Sequence, residues 1–136
     1  EDTLNTLEIK TFLPARNFSY SCEFYESLGF VKASDEAGVA FFKYQHCSFL
    51  LTSFYTEEFS KHLTMHLLVE DAKAWHRKIV HANIAQRFDV LLTTPVDQPW
   101  NMCDFTLQDP SGVCWRIANN FFKTGFFLTN EEMQRY

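Results

Sequence analysis

The chain has 136 residues, 46% apolar and 21% charged, which excludes disorder and suits one globular domain with a buried core. A net charge of -5 with scattered Lys and Arg excludes the basic stripe of a nucleic-acid binder. No apolar run approaches the ~20 residues that span a bilayer, so no membrane partner is expected.

No charged-then-apolar leader opens the sequence as given, and the expected location is the cytoplasm. The cysteines Cys22, Cys47, Cys103 and Cys114 show no C-x-x-C spacing and read as free, half-buried thiols. Phe, with 15 copies, is frequent enough that some rings are expected to line a pocket or an interface.

In chain order, Leu7 to Leu13 alternates and predicts a strand. Leu7, Ile9, Thr11 and Leu13 turn to one side, and Glu8, Lys10 and Phe12 to the other. Pro14 breaks the strand, and Asn17 is a good N-cap for a helix carrying Phe18, Cys22, Tyr25 and Leu28 on one face until Gly29 stops it. Short strands are predicted at Phe30–Ser34, Val39–Tyr44 and Ser48–Phe54.

The second half repeats this order. Leu63–Val69 is a strand with Met65, Leu67 and Val69 toward the helix side and Thr64, His66 and Leu68 opposite. Asp71 caps a helix whose Ala72, Trp75, Ile79 and Ala82 share a face. Strands at Asp89–Thr94, Met102–Gln108 and Val113–Ala118 follow, the last with Val113, Trp115 and Ile117 inward and Cys114 and Arg116 opposite.

These elements predict an α+β fold of two paired βαβββ modules, about residues 5–55 and 62–119, with a tail over 120–136, all in one domain. The opposite faces of two such curved sheets would line a cup with the helices outside. Two Phe pairs around Gly125 make the tail too apolar for a free end, and it is expected to dock on the sheet, close the cup or cross to a second subunit.

Asn17–Phe30 (NFSYSCEFYESLGF), the opening His66–Asp71 (HLLVED), and Pro99–Phe105 followed by Asp109-Pro110-Ser111-Gly112 occur in order and at fitting spacing. Together they resemble the glyoxalase / bleomycin resistance / extradiol dioxygenase superfamily, over about residues 7–119. The resemblance implies the two-module fold with a site in the cup, and homodimers. In the family's enzymes the cup holds a divalent metal on three ligands. Counting from Asn17, Asp71 and Asp109, those positions read Lys10, Thr64 and Arg116, none of them a plausible ligand. The resemblance therefore favours the branch of metal-free, non-catalytic proteins that sequester small molecules. The alternative is a metal-dependent lyase, isomerase or dioxygenase with displaced ligands, for which His62 and His66 with Glu8 or Asp104 are the candidates.

The expected binding residues are Lys10, Phe12, Tyr44, Thr64, His66, Trp100, Asp104 and Arg116, with no catalytic residue, metal or cofactor assigned. Lys10 and Arg116 read either as a cationic subsite for an anionic group on an aromatic ligand or as solvated strand residues paired with Glu8 and Asp104. Trp100, after Pro99 in a loop, either stacks on the ligand or packs under its own loop. Phe12, Phe42 and Tyr44 are candidate aromatic walls, though Phe42 also suits the core. His76, His81 and His46 have no metal-binding spacing, and no nucleophile elbow or phosphate loop is present.

Overall fold

The computed structural model describes residues 3–121. The expectations for the tail beyond Phe121 lie outside the described residues.

The first module begins with β1 (Phe12–Pro14) and α1 (Phe18–Leu28), followed by β2 (Val31–Glu36), β3 (Val39–Tyr44) and β4 (Cys47–Thr52). Asn17 caps α1 as its sequence position implies, with its Oδ1 accepting from the Tyr20 N–H at 3.2 Å. Gly29 ends the helix at φ +105°, where a Cβ would stand 2.8 Å from Lys78 Nζ. A short helix α2 (Glu57–Ser60), which has too few residues to show a periodicity, leads to the second module. That module comprises β5 (Thr64–Leu68), α3 (Ala72–His81), α4 (Ile84–Phe88), β6 (Val96–Gln98), β7 (Met102–Gln108) and β8 (Cys114–Asn120). Asp71 caps α3, accepting from the Ala74 N–H at 3.0 Å.

Each module forms one four-stranded sheet, and the two share a strand order, β1-β4-β3-β2 and β5-β8-β7-β6. In both, the first strand runs parallel to the last while the other pairs are antiparallel. The α+β fold of two βαβββ modules with open curved sheets is thus as the repeat predicts.

Two expected strands differ. The first is confined to residues 12–14, because only these find ladder partners, Leu50–Thr52 on β4. Leu7 and Ile9, expected on the helix side, are 97% and 95% exposed: alternation without a neighbouring strand buries nothing. The expected strand at Asp89–Thr94 is reduced to one bridge, Leu92 to Leu107. Asp89 takes a left-handed conformation after α4, and Pro95, lacking an N–H, interrupts the ladder before β6. The Thr93 hydroxyl stands in there, accepting from the Thr106 N–H at 2.8 Å.

The helix-side faces of both sheets meet in one core. Trp115 on β8 lies 5.4 Å, ring to ring, from Phe49 on β4 and 5.7 Å from Tyr25 on α1. The buried Tyr25 hydroxyl donates to Asp109 Oδ2 at 2.6 Å and accepts from Trp115 Nε1 at 3.0 Å. Asp109 Oδ1 in turn accepts the Ser111 and Val113 N–H groups. This polar strut ties α1 to the last hairpin and satisfies every member. With the helix sides joined, the other face of each sheet stays open.

Candidate binding surface on the open sheet faces

On the second sheet the alternation puts Thr64, His66, Leu68, Cys114, Arg116, Asp104 and Thr106 on the face away from the helices. Arg116 is opposite His66 on β5 and opposite Thr106 on β7, so the three form one row across the sheet. Arg116 Nη1 reaches Asp104 Oδ1 at 3.1 Å, and Gln98 Nε2 donates to the same oxygen at 2.9 Å. Asp104 is 2% exposed, and its Oδ2 is sealed from solvent with no hydrogen-bond partner among the described residues. Trp100 sits at the β6–β7 turn beside Gln98, 57% exposed and against no other ring among the described residues, so packing under its own loop does not account for it.

The first sheet presents the equivalent face. Phe12 and His66 each lie five positions before their N-caps, Asn17 and Asp71. Phe12 is 55% exposed and opposes Leu50, which opposes Phe41. Lys10 Nζ sits 4.8 Å from the Phe41 ring centre and 2.9 Å from Glu8. The bonds from Lys10 and the Ser48 hydroxyl hold the Glu8 carboxyl below its usual pKa.

Both cations are therefore paired with the carboxylates that the ordinary surface reading named, although Lys10 finds Glu8 along its own segment and not across strands. Within one chain Arg116 joins Asp104 on the second sheet and Lys10 joins Glu8 on the first, as two ion pairs.

Tyr44 departs from its expected place. Sharing a strand face with the fully buried Phe42, it turns to the helix side, 5.1 Å from Trp75 and 5.5 Å from Phe30. There it lines an intramolecular groove of ≈ 990 Å³ with His46, Leu68, Asp71, Trp75 and Asn119.

The positions of the superfamily's metal do not fit a cation. Two of the three side chains are themselves cations, and each is held by a carboxylate. Among the described residues no three His, Cys, Asp or Glu side chains gather as a metal-binding set, so the combination of His62, His66 and Glu8 or Asp104 is not assembled. All four cysteines are free, and burial pushes the Cys22, Cys103 and Cys114 thiols up, away from the reactive thiolate.

Gln98 and Thr106 belong to the surface and are absent from the sequence reading. Thr106 was accessible to it, being two residues from Asp104 on one strand. Gln98 was not, because β6 was expected elsewhere.

No protein-family model matches the sequence, and no curated protein sequence matches it. Solved structures do share its fold. A bleomycin-binding protein complexed with bleomycin superposes with a TM-score of 0.71 at 20% identity, over 85% of this chain and 99% of its own. TnmS3, an antibiotic binding protein from Streptomyces sp. CB03234, gives 0.68 at 17% identity, over 87% and 99%. Lactoylglutathione lyase from Agrobacterium tumefaciens gives 0.60 at 13% identity, over 85% and 95%. The chain thus has the fold of the bleomycin-resistance and glyoxalase proteins, the vicinal oxygen chelate fold, as the resemblance in its motifs implied.

Proposed function

We propose that this chain binds a small, flat organic molecule on the open face of its second sheet and acts by stoichiometric sequestration, without metal or catalysis. The observation that carries the reading is the Arg116–Asp104 ion pair standing where an enzyme of this fold needs a metal ligand. Trp100 supplies a free aromatic face at the edge, and His66 and Thr106 flank the polar centre. Two of the structural neighbours are named for binding bleomycin or an antibiotic. Antibiotic-like molecules are accordingly the ligand class to try first.

A thermal-shift screen of such molecules, run with a metal chelator present, tests this. A ligand at ~100 times its dissociation constant should add ~2.7 kcal/mol of stability. Turnover of a lyase, isomerase or dioxygenase substrate that appears only on adding Zn, Ni, Mn or Fe would instead establish the metal-dependent alternative.

A second copy completes the site in this proposal. Phe12, Leu68, Val96 and Trp100 are all more than half exposed, and single open sheets make only half of a cup. Closing one copy's first-sheet face over its partner's second-sheet face covers them twice, by two-fold symmetry. Sedimentation at micromolar concentration should give a dimer, and a chain monomeric at the concentration where it binds ligand would refute this arrangement. No helix among the described residues is long and apolar enough to cross a membrane. Four free thiols support a reducing, cytoplasmic location.

A further inference from the structure

We infer that the Asp104–Arg116 pair selects a neutral carboxamide-type group, one that donates an N–H and accepts at a carbonyl together, over a carboxylate or an ammonium. This rests on the proposed binding role and specifies its chemistry.

The warrant is an asymmetry in a buried carboxylate. Asp104 Oδ1 accepts from Gln98 Nε2 at 2.9 Å and lies 3.1 Å from Arg116 Nη1 in an ion pair, so both available groups are on this oxygen. Oδ2 takes none among the described residues, although it is sealed from water. A buried carboxylate oxygen without a donor is costly, and Arg commonly relieves it by binding both oxygens at once. Here Arg116 engages with one nitrogen and leaves about a third of its side chain open on the sheet face.

The pair thus presents an unfilled acceptor beside a partly open donor, with charges that cancel. A carboxylate gains from Arg116 but meets the Oδ2 lone pairs, and an ammonium meets the reverse conflict. A primary amide, lactam or ureide satisfies both sides. Reaching Oδ2 requires a neighbouring side chain to turn, and we assign that movement to Gln98, whose amide is held to the same carboxylate, at Oδ1, by a single hydrogen bond.

The test titrates the full chain with benzamide, benzoate and benzylammonium, which differ only in the polar head. Benzamide should bind at least tenfold tighter than either charged probe. Asp104→Asn replaces the acceptor with an N–H donor at nearly constant shape and frees the Arg116 charge, so it should reverse the order and favour benzoate. A reversal cannot arise from misfolding, which weakens all three. Equal binding of the three heads, or benzoate tightest on the native chain, overturns the inference while leaving the binding role intact. If no probe binds and no molecule in the broader screen stabilises the chain, the binding role itself falls and this inference with it.

Discussion

Asp109→Ala is expected to lower folding stability by about 3–5 kcal/mol, a large part of what a domain of this size has. Asp109 is 2% exposed and accepts from the Tyr25 hydroxyl and from the Ser111 and Val113 N–H groups. Removing it orphans three buried donors at ~1–3 kcal/mol each, not fully additive. Urea unfolding at unchanged m-value measures the loss. Tyr25→Phe should cost roughly 2 kcal/mol, since it strands Asp109 Oδ2 and the Trp115 indole N–H. Asp109→Asn keeps the acceptor for both backbone groups and should cost less than half of the alanine loss.

The same residue sets a pH dependence. Burial, outweighing the bonds from Tyr25, Val113, Ser111 and Gly112, raises the Asp109 carboxyl above its usual value. In the folded chain it therefore holds its proton longer than in the unfolded chain. Its contribution is complete below the ordinary carboxylate value of ~3.9 and is lost as pH climbs through the raised one. The stability gap between the native chain and Asp109→Asn should accordingly narrow as pH rises. A gap that widens would mean that the hydrogen bonds outweigh burial.

The second large effect is Phe49→Ala, expected to cost about 3–5 kcal/mol. Phe49 packs within 5.5 Å, centre to centre, of the rings of Tyr25, Phe30, Phe42 and Trp115, so it joins both modules. Unfolding should remain one transition, with amide protection lost in β7 and β8 as well as in β3 and β4. Separate transitions for the two halves would contradict a shared core. Phe12→Ala is the control from the same sheet. Facing outward and 55% exposed, it should change the stability of the isolated chain by no more than ~0.5 kcal/mol while weakening ligand or dimer.

Much of this fold was legible because its signals are local. Asn17, Gly29 and Asp71 cap their helices through their own side chains or backbone freedom, and a cap needs no distant partner. Strand alternation placed His66, Cys114 and Arg116 on the open face for the same reason. Leu7–Thr11 misled because alternation reports a face to bury and not whether a strand stands beside it. Thr94–Pro95 hid the displacement of β6, and with it Gln98.

The site was legible in its residues more than in its contacts. The pairing of Arg116 with Asp104 on neighbouring strands is legible from alternation, but the third partner, Gln98 on β6, is not. Tyr44 was misplaced because its partner Trp75 comes from the other module, and that packing of helix side on helix side is tertiary. Tyr25 and Asp109 appeared in separate motifs, 84 positions apart, and only folding joins them.

The most direct test takes a ligand from the screen and maps it by backbone amide shifts on the chelator-treated chain. Saturating shifts at His66, Thr106 and Arg116, with a one-to-one endpoint, are predicted. Shifts confined to the Tyr44–Trp75 groove, or binding that returns only when a divalent metal is restored, would contradict a metal-free ligand surface on the second sheet.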